Sequence, residues 1–505
     1  MKFIQEETIK LQKEYESILI PFYEDTDLRS RLLQLPFEPE YMEAVINRFG
    51  SGKQRSHLQQ RLLQQKIMLP HQGGVVSLIF MDLGKQSGSW LDYLKEQFSC
   101  FGKEAEEDCQ ILLEGLQFEG YSVQLATETI IKAMYRGAYS FAKGALEKTS
   151  GARLFSLRDE LKKEKKGLSF TLISSENLQS SIGRAMDYGE CINYARMLGD
   201  IPNNYLHVGR FAGYLTDFAK EYKLSAEILG KPELETLHSG GILGVNAGSS
   251  EEANLITIYY EGSKGGPVTA LIGKAVMFDS GGYHLKSISG MSGMKYDMCG
   301  AANVLAALEI IVRQKSKSNI LMVIPAVENV ISPDACKMGD VLTTMSGKTV
   351  EVYNTDAEGR LILCDAITYA IRKGADRLID LATLTYSCQN ALGDEISGIY
   401  SNNDGYYEAF EVKTREQCEK VWRLPLDEVY HKPLYRTQTA DLINYAPGSH
   451  GGANVAACFL EEFVENKVPW IHLDVVGTAV NRSENKHMGA GATGVLAASI
   501  AAFLE

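Results

Sequence analysis

The 505-residue chain has no apolar run approaching the roughly 18 to 20 residues that a membrane-spanning helix needs, so no membrane partner is expected. It has no His-Glu-x-x-His, which removes the two-histidine zinc mechanism, and no Gly-x-Ser-x-Gly, which removes the serine nucleophile elbow. Its nine cysteines are scattered, odd in number and never spaced as Cys-x-x-Cys, a usage that fits free thiols in a reducing cytoplasm. The first residues, Met1-Lys2-Phe3-Ile4-Gln5-Glu6-Glu7, are acidic where a secretory signal is positive and then apolar, which also points to a cytoplasmic location. Neither Gly240-Gly241-Ile242-Leu243-Gly244 nor Gly448-Ser449-His450-Gly451-Gly452 has the spacing of a phosphate loop, and both read as turns. Basic surface is scarce as well. The net charge is −13 and the one strong lysine cluster, Lys162-Lys163-Glu164-Lys165-Lys166, reads as a solvated turn or helix face, so a nucleic-acid partner is not expected.

What is present is ordinary in bulk and unusual in two places. Hydrophobic residues make up 45% and charged ones 23%, as in a globular protein long enough for two or more domains. The run Asn354-Thr355-Asp356-Ala357-Glu358-Gly359-Arg360 sets two carboxylates on either side of a single alanine, next to a guanidinium. Before it, Thr349-Val350-Glu351-Val352-Tyr353 alternates as a strand; after it, Leu361 to Ile371 is long, apolar and helical. Carboxylates at such a turn project into the crevice beyond the strand ends, where open α/β sheets bind ligands.

A second charged group lies upstream: Lys274, Asp279, Lys286 and Asp297. The buried strand Pro267-Val268-Thr269-Ala270-Leu271-Ile272 precedes it, and Asp279-Ser280-Gly281-Gly282 ends the apolar run with turn residues. Taken singly, each aspartate is a turn residue and each lysine a surface charge. Taken together, the four carboxylates Asp279, Asp297, Asp356 and Glu358 cannot all stay ionised in one desolvated pocket unless cations neutralise them. Divalent metals are the simplest answer. Oxygen ligands alone suit magnesium, calcium or manganese, whereas a neutral lysine amine adds a nitrogen donor suited to zinc, manganese or cobalt. Lys274 must then lose its proton, which requires a pKa well below the usual ~10.4.

These two segments resemble the active site of the leucine aminopeptidase (cytosol aminopeptidase) family of two-metal exopeptidases. The family signature Asn-Thr-Asp-Ala-Glu-Gly-Arg-Leu stands intact as residues 354 to 361. The resemblance runs over roughly residues 185 to 495 and includes Asp380-Leu381-Ala382-Thr383-Leu384-Thr385, Trp422-Arg423-Leu424-Pro425-Leu426 and Pro469-Trp470-Ile471-His472-Leu473-Asp474. It implies that Asp279 and Glu358 bridge two divalent ions, manganese or zinc with cobalt as a further choice. Lys274 and Asp297 would complete one site and Asp356 the other. Lys286 and Arg360 would be the catalytic pair, the first on the oxyanion and the second holding bicarbonate or a water as general base. Peptides with a free N-terminus would be the substrates, and a homohexamer the assembly. Met294, Thr383, Val476 and Ala479 fall on the family's substrate pocket, and Tyr386 stands where the family has glycine. Ala275, Ser287 and Cys299 also depart from the pattern, none of them at a ligand. Two other classes remain in play: a binuclear phosphohydrolase, and a catalytically weak relative acting as a scaffold or DNA-binding protein.

The expected fold class is α/β in two domains. A smaller N-terminal domain, 1–177, ends at Ser174-Ser175-Glu176-Asn177; a catalytic domain, 178–505, has a mainly parallel or mixed sheet flanked by helices. The first contains a helical stretch near 5–18, a strand near 73–81, a helix at 126–147 and a strand at 168–173. The second has strands at 252–260, 268–278, 319–326, 349–353, 377–384 and 470–476. Its helices fall at 300–313, 359–373, 451–466 and 490–503. The 300–313 helix, apolar on nearly every side, is expected to be buried behind the site. Cys299, Cys364, His284 and His472 read as structural.

Overall fold

The computed structural model describes residues 1–11, 16–23, 28–49, 65–71, 74–83, 90–116, 118, 120–141, 146, 154–159, 168–485 and 487–505. The lysine cluster at 162–166 lies outside them. The chain forms two compact units. One comprises Met1–Ala142, Asp159–Glu190 and Glu484–Gly489, the other Lys143–Arg158, Cys191–Ser483 and Ala490–Glu505.

In the first unit a six-stranded sheet is built from β1 (Lys2–Glu6), β2 (Glu16–Phe22), β3 (Gln65–His71), β4 (Gly74–Asp82), β5 (Cys109–Leu112) and β6 (Ser169–Ile173), in the order β1-β6-β5-β2-β4-β3. Only the β3–β4 pair is antiparallel. The helix expected near 5–18 is not formed: its described residues belong to β1 and β2 and the loop after β1. The reason lies in Ile18, Leu19 and Ile20, which are all fully buried. Three consecutive buried side chains cover both faces of an interior parallel strand, not one face of a helix. The helix expected at 126–147 runs from Val123 to Ala138, and 142–145 and 147 are outside the described residues.

The second unit is built on a nine-stranded mixed sheet. Its strands are β7 (Ser225–Leu229), β8 (Asn254–Tyr260), β9 (Val268–Gly273), β10 (Ala275–Asp279), β11 (Asn319–Asn329), β14 (Arg377–Ala382), β15 (Ser397–Ser401), β16 (Val421–Arg423) and β18 (Trp470–Asp474). The short β12 (Val341–Thr343), β13 (Thr349–Glu351) and β17 (Leu442–Ile443) make a separate sheet. The main order is β16-β15-β18-β14-β9-β11-β8-β7, with β10 also pairing β11. The Cys299–Arg313 helix is buried continuously from Cys299 to Ile311, as its composition predicts.

The interruption between β9 and β10 creates the head of the site. Both strands pair in parallel with β11, and the registers Ile272↔Val323 and Ala275↔Ala326 set Lys274 level with Pro325. Lys274 bonds elsewhere: its N–H donates to the Leu381 carbonyl (3.1 Å) and its carbonyl accepts from Ala301 N (2.9 Å).

Two further expectations need correction. Gly240–Asn246 is a helix, not a turn. The buried Asp365 carboxylate accepts from Ile242 N (3.0 Å) and Met345 N (2.7 Å), supplying an acceptor at that helix's first turn. The paired glycines allow close packing, because a Cβ on Gly241 would lie 2.1 Å from the Leu361 carbonyl oxygen. At the C-terminus the helix begins at Ala497 rather than 490. Gly491, Gly494 and Leu496 all have positive φ, and Gly491–Ala492 pairs as a strand with Val480–Asn481.

Gly241→Ala is expected to lower stability by ~1–3 kcal/mol through overpacking against the Glu358–Arg372 helix. Gly213→Ala, on a helix with nothing within 4 Å of the added methyl, is expected to be neutral or to stabilise by about 0.5–1 kcal/mol. Urea midpoints of the two variants check this; equal midpoints would show that the contact at Gly241 relaxes freely.

Candidate active site

Three loops and one strand break bring the charged residues together. Lys274 lies in the β9–β10 gap, Asp279 ends β10, Asp297 follows the single turn Met294–Tyr296, and Glu358 opens the Glu358–Arg372 helix. Lys274 Nζ is 2.8 Å from both Asp297 Oδ1 and Glu358 Oε1, and donates to the Thr383 carbonyl at 2.8 Å. Lys286 Nζ is 2.7 Å from Asp279 Oδ2 and 2.6 Å from Asp356 Oδ1. Oxygens of Asp279, Asp297 and Glu358 lie within 4.8 Å of one another. All three residues are buried, whereas the Asp356 side chain is 28% exposed and marks the open end.

The signature loop is held residue by residue. Asn354 Oδ1 accepts from Asp356 N (2.8 Å), the Thr355 hydroxyl donates to the Gly281 carbonyl (2.7 Å), and Arg360 Nη1 donates to the Asn444 carbonyl (3.0 Å). Gly359 is required by contact, not by φ: a Cβ there would sit 2.9 Å from Lys274 Nζ.

Burial, followed by the neighbouring Glu358 and Asp279, pushes Asp356 up to about 7 against the pull of Lys286. Asp297 is pushed up to about 8 by burial in the first place, with Lys274 opposing and Glu358 and Asp279 adding to the rise. Asp279 is raised by burial and Glu358. Glu358 alone falls below its ordinary value: burial works against this, but Lys274 and Lys286 prevail. Burial lowers both lysines, yet the carboxylates around them win and hold each above the usual range.

The cluster suits divalent cations on its own chemistry. Asp297 Oδ2 is buried and has no hydrogen-bond partner, although two other carboxylates stand beside it. An unpaired buried carboxylate oxygen is costly, and a cation satisfies it. Carboxylate oxygens with an amine nitrogen form a donor set for borderline metals. Arg360 Nε is also buried and unpartnered, and burial, against Glu358, Tyr445 and Asp474, brings this guanidinium down to about 10.

Thr383 is bonded into the cluster, its hydroxyl donating to Asp297 Oδ1 (2.7 Å). Tyr386 begins the Tyr386–Leu392 helix, with its ring centroid 5.8 Å from Lys286 Nζ and its hydroxyl donating to the Gly290 carbonyl (3.3 Å). Met294 and Val476 are half-buried and Ala479 is fully buried. Ser287 caps the short Ile288–Met291 helix by accepting from Gly290 N (3.1 Å). Of the residues read as structural, Cys299, Cys364 and His472 are buried, His472 paired through Nδ1 with Asp380, and His284 is exposed.

Three supporting residues escape sequence reasoning. Asn329 Nδ2 donates to Asp279 Oδ1 (2.8 Å) and the Thr355 carbonyl (3.0 Å). Asn444 Nδ2 donates to the Asn354 carbonyl (2.7 Å) while its Oδ1 accepts from Tyr353 N (2.9 Å). Asp474 accepts from the Thr385 hydroxyl (2.7 Å). Asp474 ends the Pro469–Asp474 segment already singled out, though its role as an acceptor does not show there; nothing local in the sequence marks Asn329 or Asn444.

The catalytic-domain profile of the cytosol aminopeptidase family matches residues 193–501. A protein named probable cytosol aminopeptidase from Bacillus subtilis (strain 168) is 37% identical over 450 residues, which is 87% of each chain. One of the same name from Exiguobacterium sibiricum is 34% identical over 93% of this chain and 94% of its own. The solved structure of the bottromycin maturation enzyme BotP shares the fold, with a TM-score of 0.79 at 23% identity over 97% of this chain and 98% of that one. The charged cluster falls within the matched region, and on the extent of that match the chain belongs to the cytosol aminopeptidase family, whose members are metal-dependent exopeptidase hydrolases.

Proposed function

We propose that this aminopeptidase removes N-terminal residues at two divalent cations held by Lys274, Asp279, Asp297, Asp356 and Glu358. The observation that carries this is the buried trio Asp279, Asp297 and Glu358, with donor atoms within 4.8 Å of one another and Asp297 Oδ2 unpaired. When bound, such cations would supply an activated water, polarise the scissile carbonyl and offer a site to the free α-amine that an internal peptide bond lacks. Manganese or zinc fits the donor set, and a solved structure of the fold relative BotP is described as a complex with Mn. The scaffold and DNA-binding alternative has no support in these comparisons.

The chain's own groups do the rest. Lys274 lies between Asp297 and Glu358, and as a metal ligand it would have to give up its proton. Lys286, in contact with Asp279 and Asp356, stays an ammonium and turns its charge towards the oxyanion of the tetrahedral intermediate. Arg360, with Nε unpartnered, holds bicarbonate or a water that accepts the proton. Gly359 keeps room for Lys274, and Thr383 orients Asp297. Tyr386, beside Lys286, brings a phenol to the rim of the substrate pocket, which also includes Met294, Thr383, Val476 and Ala479. The ring narrows the space for the first substrate residue and shifts preference towards small side chains.

Exhaustive chelation is expected to abolish peptidase activity, and reloading to restore it at about two ions per chain by metal analysis. Full turnover by the metal-free protein would contradict the mechanism.

Lys286→Ala and Arg360→Ala are each expected to lower kcat by on the order of 10²-fold or more, with little change in KM, because both groups act in the transition state. Normal turnover in Lys286→Ala would mean that its role is misassigned.

Tyr386→Gly is expected to raise kcat/KM on leucine and phenylalanine substrates relative to alanine, at roughly 1–3 kcal/mol per methylene accommodated. An unchanged substrate ranking would remove Tyr386 from the pocket.

A further inference from the structure

A second set of metal-ligating side chains lies outside the catalytic cluster. The helix Gly452–Glu461 carries Cys458 and Glu461 three residues apart, on one face, and Glu462 caps it. His431 faces them from the end of the short helix Glu428–His431. Ligand atoms of His431, Cys458 and Glu461 all lie within 4.8 Å of one another. The imidazole meets a carboxylate at each nitrogen: Nε2 is 2.9 Å from Glu461 Oε2, and Nδ1 is 2.9 Å from Glu462 Oε1. Cys458 is fully buried beneath them. Above lies a surface pocket of about 720 Å³ lined by Asp427, His431, Tyr435, Glu461 and Glu462 among others.

We propose that His431, Cys458 and Glu461 form a site for a borderline divalent metal of the zinc class, separate from the catalytic ions. Imidazole nitrogen, thiolate sulfur and carboxylate oxygen are the three donor types that zinc combines, and the pocket above leaves a fourth position for water. With the metal on Nε2, the nitrogen that faces Glu461, Nδ1 keeps Glu462 as its acceptor, the arrangement that fixes the tautomer of a ligating histidine. Lys348 stands 3.4 Å from Glu462 Oε2 on the side away from the imidazole, so a basic group already balances that glutamate. The thiolate is the form of cysteine that ligates, so binding displaces the thiol proton. The bound ion ties the Glu428–His431 turn to the helix Gly452–Glu461, which packs against the helix carrying Glu358 and Arg360.

The catalytic donors are oxygens and amines only, so sulfur ligation distinguishes the two places. Chelated full-length protein reloaded with Co²⁺ is expected to show a thiolate-to-cobalt charge-transfer band, and to bind one ion more than Cys458→Ser. Cys458→Ser is expected to lose the band while keeping peptidase activity in the metal-loaded enzyme. His431→Gln and Glu461→Gln leave the buried thiol in place and are expected to weaken Co²⁺ binding at this site by on the order of 10- to 100-fold or more; they decide the matter if Cys458→Ser fails to fold. No charge-transfer band in Co²⁺-loaded wild type would overturn the proposal, as would a band undiminished in all three variants.

Discussion

The structure of the second unit is organised around a group of like charges that water does not reach. Asp279, Asp297 and Glu358 are buried with oxygens within 4.8 Å of one another, and Lys274 and Lys286 are paired with them. Carboxylates alone at these separations would not stay ionised together. The shifts divide accordingly: Glu358, served by both lysines, goes down, while burial dominates at Asp297 and Asp356, which go up. A cluster with this balance accepts divalent ions by exchanging protons for them, with little change in net charge.

Holding the cluster requires the backbone to depart from regular structure where the lysine enters. The main-chain groups of Lys274 turn away from β11 and are taken by β14 and by the Cys299–Arg313 helix. Gly300 lets that helix come close, since a Cβ there would lie 2.3 Å from the Leu381 carbonyl oxygen. The Glu358–Arg372 helix is fixed from its outer side by Asp365, which accepts from the first turn of the Gly240–Asn246 helix. Charged chemistry at one end of the helix and a buried carboxylate further along it are thus parts of one packing arrangement.

Much of the site was legible in the sequence because it is written in short contiguous runs. Asn354 to Arg360 supply a turn, ligand candidates, a close contact and a guanidinium within seven residues, and each has a separate local reason in the structure. The strands of the second unit were legible because apolar runs such as Val268–Gly273 are bounded by turn residues. What could not be read depends on partners distant in sequence. Asn329 and Asn444 look like ordinary polar residues until folding sets them against Asp279 and Asn354. Ser225–Leu229 is short, four of its five residues are exposed, and it becomes a strand by pairing with β8. The glycines of Gly240–Asn246 suggest a loop, and only Asp365 and the close approach of Leu361 make them helical.

The contact between Gly359 and Lys274 has a mutational consequence. The space that a side chain at 359 would need is already filled by the lysine ammonium. A larger residue at 359 therefore demands a shorter one at 274, and a shorter residue at 274 gives up the nitrogen donor and opens a void beside Glu358. A change at either position thus presses on the other, and substitutions at the two are expected to be non-additive.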